Sequence, residues 1–210
     1  MWVEFAPAKQ IVQLWVFNLI QEAIMKKKSS AVLALVLMLG TAGFAGGKNP
    51  VVGGQEMLPT NTVMQNLSKS PNHTTLVSAI KAAGLEEMLS GAGPITIFAP
   101  INEAFAELPK GTMENLLKPE HKEQLRKMLT YNMLKGKWGT AELKKKMAEN
   151  QNGVAEVTSL EGGTLSVSSH AGMHLMIRDH DDDIGMFNVS DVFSSNGVIH
   201  VVDNVMMPKE

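Results

Sequence analysis

The stretch that decides the fold is Asn196 to Pro208, "NGVIHVVDNVMMP". Its run of branched apolar residues marks a buried β-strand. Period-two alternation sends Val198, His200 and Val202 to one face and Ile199, Val201 and Asp203 to the other. His200 shares its face with valines, so it is either a core histidine or a functional one.

Working outward, the residues before this strand repeat the same pattern. "VAEVTSL", "TLSVSS", "MHLMIRD" and "MFNVSDV" are short alternating runs separated by Gly or Asp/Asn. The second half is therefore mainly antiparallel sheet. The first half is helical: Val63, Met64 and Leu67, then Leu76, Ile80 and Ala83, recur at helical spacing, with breaks at Gly84 and Gly91. "PITIFAP" is a compact strand between prolines, and "NEAFAEL" restarts a helix with Asn102 as its cap. In "PEHKEQLRKMLTY" Pro119 suits a first helical turn and Leu125, Met128 and Leu129 form an apolar stripe that belongs in a core. "AELKKKMAEN" is one more helix. Helices first and strands later predict an α+β domain, in which helices cover a sheet or small β-sandwich. No internal repeat is visible.

The amino end divides into segments. From Met25, "MKKKSSAVLALVLMLGTAGFAGG" has a basic start, an apolar stretch and small residues Gly43 and Ala45 placed for signal peptidase. Residues 25–45 thus read as a secretory signal peptide cleaved after Ala45, in preference to a membrane anchor, whose helix Gly40, Gly43, Gly46 and Gly47 would weaken. Residues 1–24 read as an upstream extension, with Met25 as the natural start. Residues 46–57, rich in Gly and Pro, read as a linker, and residues 58–210 as the folded domain. The chain of 210 residues is 44% hydrophobic with a net charge of −2, values that suit a globular protein. Basic clusters occur only at Lys26 to Lys28 and Lys144 to Lys146, which argues against a nucleic-acid partner. The absence of cysteine excludes disulfides, thiolate metal sites and Cys nucleophiles.

Three segments together resemble the fasciclin domain of secreted and cell-surface proteins. These are "TLVSAIKAAGLEEMLSGAGPITIFAPINEAFAELPKGTMENLLKP", the helix "LRKMLTYNML", and "SSNGVIHVVDNVMMP". The resemblance spans about Leu58 to Lys209. It places a first signature at Thr96, Phe98, Pro100, Asn102 and Phe105, and a second at Asn196, Gly197, His200 and Asp203. It implies a fasciclin-like fold, a twisted antiparallel β-sandwich or wedge with a helical layer. The implied role is adhesion or recognition at cell and matrix surfaces, with no catalysis and no cofactor. His200 then becomes a structural residue tying the two signatures together. The segments implicated in receptor binding among animal relatives fall here on Tyr131-Asn132, where the family has Tyr-His, and on Asp191-Val192. That gives Tyr131, Asn132, Asp191 and Val192 as carried-over binding residues, with Asn132 a departure. The triple-Lys signal and lack of cysteine point to a bacterial, periplasmic or extracellular protein.

Chemistry elsewhere is sparse. No nucleophile elbow, zinc-ligand pair or phosphate loop is present. "HAGMHLMIRDHDDDIG" gathers His170, His174, His180, Met173, Met176 and four Asp, residue types that suit copper or calcium. Strand alternation splits them between two faces, and the stretch reads as an acidic β-turn. Fifteen Met offer another possibility: Met113, Met128, Met133, Met147 and Met186 edging a groove for an apolar small molecule, such as the carotenoids some family members are reported to bind. Ordinary core filling is the plainer reading. Asn66, Asn72 and Asn188 begin glycosylation sequons, meaningful only in a eukaryote. The expectation is an exported recognition module for a cell-surface, matrix or protein partner. An apolar carrier and a periplasmic metal binder remain as alternatives.

Overall fold

The computed structural model describes residues 49–170 and 174–209. The expected upstream extension and signal peptide lie outside them. Helices α1 (Val63–Lys69), α2 (Thr74–Ala83), α3 (Glu86–Ser90), α4 (Asn102–Ala106), α5 (Thr112–Leu116) and α6 (Lys122–Tyr131) fill the first half, interrupted by strand β3 (Ile95–Pro100). Strand β4 (Met133–Lys135) and helix α7 (Thr140–Glu149) lead into β5 (Ala155–Thr158), β6 (Thr164–His170), β7 (His174–Arg178), β8 (Ile184–Ser194) and β9 (Gly197–Val202). The α+β architecture with a helical layer is as the sequence predicts.

Seven strands form one sheet in the order β4-β3-β9-β8-β7-β6-β5. The expected antiparallel pairing holds throughout except at the centre, where β3 and β9 run parallel with Phe98 opposite His200. These two strands are buried along their whole length, as a parallel pair covered on both faces should be. The sheet rolls on itself rather than splitting into two. Leu160 N–H donates to the Met133 carbonyl at 2.8 Å, and Leu134 bridges Ser159, so the two ends of the sheet meet. Both edges are thereby partly protected.

The roll creates two cores. Ile97, Ala99, Ile199 and Val201 face the helical layer, where they meet Leu67, Ile80, Leu89 and Leu125. Phe98, Leu165, Ile177, Phe187 and Val202 line the inside of the roll, closed by Leu143 and Met147 of α7 and by Tyr131. Alternation along β3 and β9 thus feeds both cores at once.

The stretch 46–57 departs from its reading as a linker. From Asn49 on it belongs to the fold: Asn49 exchanges side-chain hydrogen bonds with the Phe193 backbone at 2.6 and 3.1 Å. Val51–Val52 and Gln55–Glu56 form a hairpin, β1 and β2. Its two turn residues, Gly53 and Gly54, have φ of 58° and 77°, the left-handed geometry a two-residue hairpin demands. Val52 and Met57 are buried in the helical core.

Candidate recognition site

His200 lies at the heart of the sheet with no exposed surface. Its ring stacks on Phe98, with centroids 5.9 Å apart, and tilts against Phe187 at 5.1 Å. Nε2 donates to the Trp138 carbonyl at 2.7 Å, and Nδ1 accepts from the Asp191 N–H at 3.4 Å, an arrangement that assigns the proton to Nε2. Burial holds its pKa below the ordinary imidazole value, against the opposing pull of the Trp138 carbonyl and the Asp191 carboxylate. A neutral ring with both nitrogens engaged is a core fixture, not an acid or base poised for chemistry.

Thr96, on the adjacent strand, grips the same segment. Its hydroxyl donates to the Gly136 carbonyl at 2.8 Å and accepts from Trp138 N–H at 2.9 Å. Residues of both signatures therefore hold the Gly136–Trp138 connection, and with it the start of α7.

The other signature residues have comparable duties. Asn196 accepts from Val63 N–H at 2.8 Å, capping α1, and donates to the Leu89 and Gly91 carbonyls at the end of α3. A Cβ on Gly197 would stand 2.0 Å from the Ile95 carbonyl oxygen, so only glycine allows β3 and β9 to approach there. Asp203 accepts from Met186 N–H at 2.6 Å. Phe98, Pro100 and Phe105 are buried. Asn102 is a cap, though for a different helix than expected: it accepts from Thr75 N–H at 3.0 Å, at the start of α2, and donates to the Pro71 carbonyl.

The four residues carried over as receptor contacts do not form an exposed surface, and this corrects the sequence reading. Tyr131 is 1% exposed, Asn132 3% and Val192 0%. The Tyr131 hydroxyl donates to the Thr164 carbonyl. Burial, reinforced by the nearby Asp179 carboxylate, pushes its pKa up. Asn132 donates to the Met128 and Met206 carbonyls and accepts from Met206 N–H, binding α6 to the C-terminal tail. Asp191 sits at an irregularity in β8, between Val189 and Val192, with φ of 59°. The left-handed turn aims its carboxylate at α7, where it accepts from both Thr140 N–H and the Thr140 hydroxyl. It is a helix cap donated by a strand.

The acidic turn is organised around Asp179. Buried to 6% exposure, it accepts from Asp181, Asp183 and Met207 N–H groups, and burial raises its pKa against those bonds. Asp181, Asp182, Asp183, His174 and His180 are exposed. Met173 and the His170 side chain lie outside the described residues. Among the described residues no three His, Asp or Glu converge on a common point suited to a metal ion.

The methionines named as a groove wall are divided. Met128 and Met133 are in the helical core, Met147 in the roll. Met128 also borders a groove of about 550 Å³ between α5, α6 and the tail, together with Leu116, Lys127, Met207 and Pro208. Its volume is in the range of small-molecule sites. Sequence reasoning missed this groove because the tail that forms one wall has no periodic pattern.

It also missed His73. This residue is 1% exposed, its Nδ1 shares a hydrogen with Ser70 Oγ at 2.8 Å, and its Nε2 has no partner at hydrogen-bonding geometry. Desolvation drives its pKa to about 4; the Ala99 carbonyl and Glu103 carboxylate oppose this without overcoming it. Asn66, at the head of a sequon, is fully buried and bonded to Leu58, Asn61 and Ser194, so the folded chain offers no amide there to modify.

Known proteins resemble this chain in sequence and in fold. The chain is 42% identical over 149 residues to protein sll1483 of Synechocystis sp., covering 70% of this chain and 73% of that one. It is 31% identical over 150 residues to the transforming growth factor-beta-induced protein ig-h3 of Sus scrofa, 71% of this chain but only 20% of the relative. The fold matches a FAS1 domain pair from the insect cell adhesion molecule fasciclin I, with a TM-score of 0.61, 18% identity, and coverage of 69% of this chain and 50% of the other. The fasciclin domain family model itself matches residues 71–208, the span that carries both signatures and the network between them. The chain belongs to the fasciclin domain family.

Proposed function

We propose that this protein is an exported adhesion or recognition module that binds a cell-surface, matrix or protein partner and carries out no catalysis. The observation that supports this best is how the polar signature residues, and Asp191 beside them, are used. His200, Thr96, Asp191 and Asn196 spend their hydrogen bonds on backbone groups and helix ends, so the interior serves to hold a surface in shape. One solved structural relative is a domain pair from a cell adhesion molecule, which agrees with such a use. Export is part of the proposal, from the signal-like segment at 25–45; among the described residues no helix is long and apolar enough to cross a membrane. The processed chain, beginning at Gly46, should bind native host cells or their surface extract saturably when immobilised. Amino-terminal sequencing that found residues before Met25 on the exported form would refute the processing, and a lack of saturable binding would refute the recognition role.

A second reading rests on the groove beside α6, whose volume and Met128–Met207 lining suit an apolar small molecule. Organic extraction of protein from its native host, followed by mass spectrometry, separates the two. A recognition module yields no stoichiometric compound. A single pigment or lipid at near-equal molar amount replaces recognition with carriage.

A further inference from the structure

Between Met133 and Ala148 five lysines, Lys135, Lys137, Lys144, Lys145 and Lys146, stand against one acid, Glu142, in a chain whose net charge is −2. Lys135, Lys137, Lys144 and Lys145 are exposed and Lys146 is half-buried. Trp138 lies among the first of them in sequence and against Lys146 in space. Its indole N–H donates to the Lys135 carbonyl at 3.0 Å, Lys146 Nζ lies 5.7 Å from its ring centre, and Lys137 Nζ lies 4.7 Å from the neighbouring Phe193 ring. Among the described residues no carboxylate stands at ion-pair distance from Lys135, Lys144, Lys145 or Lys146. The nearby Asp191 is committed to Thr140. Thr96 and His200 fix the Gly136–Trp138 backbone, and Lys144 to Lys146 stand on α7, so the charges sit on ordered backbone.

We infer that this lysine-rich segment, Lys135 to Lys146, is a docking surface for an acidic polysaccharide, a flexible chain bearing carboxylate or sulfate groups. Three features favour that partner. Of the large exposed apolar side chains, Val51, Leu58, Met88, Leu117 and Ile184 are not in Met133–Ala148, which leaves only Leu160 beside Met133 and the half-buried Trp138, too little apolar surface to insert into a bilayer. A negative protein is repelled by an extended anionic sheet, whereas a flexible chain engages the basic patch alone. The segment has no arginine, and Lys146 lies against the Trp138 ring, which leaves poor provision for reading or stacking nucleobases. The inference rests on the recognition reading and names a ligand class for it.

The test uses the chain from Gly46, with heparin as the sulfated probe and alginate as the carboxylated one. Calorimetry should show binding to at least one, weakening at least tenfold between about 50 and about 200 mM salt, as counterion release requires. Lys144→Glu/Lys145→Glu should weaken it at least about tenfold. Lys81→Glu/Lys110→Glu, the same charge change in the helical layer, should leave it within about twofold, both variants melting as the parent does. The inference is overturned by no binding at low salt, by equal loss in both variants, or by tighter binding to phosphatidylglycerol vesicles or single-stranded DNA. Saturable binding to host cells stripped of acidic glycans, without binding to either probe, overturns it while sparing the recognition reading.

Discussion

His200 and His73 show two ways to bury an imidazole. His200 has partners on both nitrogens, while His73 has one on Nδ1 alone. Both are held neutral by desolvation. The folded pKa of His73, about 4, lies below the ordinary 6.5, so the unfolded chain takes up its proton first as pH falls. Its contribution is complete above pH 6.5 and is lost progressively from there down to about 4, amounting to about 3 kcal/mol. His200 acts in the same direction. Urea midpoints should therefore fall between pH 7.5 and 4.5, and His73→Leu should flatten that fall; a flat profile in the parent protein would contradict the assignment. That His200 faces inward was legible from its valine neighbours. The burial of Tyr131 and Asn132, and the inward commitment of Asp191, were not, because their partners, Thr164, Met206 and Thr140, lie on segments distant or unpatterned in sequence.

Elements with a clear period were the easiest to read. The stripes of α2 and α6, the strand at Ile95–Pro100 and the runs of the second half all fall where spacing placed them. The β1–β2 hairpin escaped because two-residue strands are too short for a period, although "VVGGQE" carries the turn residues of a tight hairpin. The parallel pairing of β3 with β9 joins segments about a hundred residues apart, and local pattern carries no record of partner or direction. In β8 the alternation breaks at Asp191, where the strand trades a regular ladder for a cap on α7. Asp191→Ala should remove that cap and strain the left-handed backbone, costing about 2–3 kcal/mol. Asp191→Asn keeps an acceptor and tolerates that conformation, so it should recover most of the loss. Amide exchange should quicken first at Thr140; unchanged exchange there in Asp191→Ala relative to the parent would speak against the cap.

At the scale of the whole molecule, the rolled sheet turns one alternating pattern into two cores, and the first strand pair closes the helical one. A chain beginning at Leu58 lacks Asn49, Val52 and Met57 and should be less stable than one beginning at Gly46 by about 3 kcal/mol or more, from the lost burial of two apolar side chains. Equal denaturation midpoints would return that segment to linker status. The central claim is that the signature residues build the framework and the surface does the binding. Its most direct test is His200→Ala, assayed for stability by urea denaturation and for binding to native host cells in the folded fraction. The account predicts a loss of about 1–3 kcal/mol with the dissociation constant unchanged; binding that vanishes while the denaturation midpoint stays put would make His200 a site residue and contradict it.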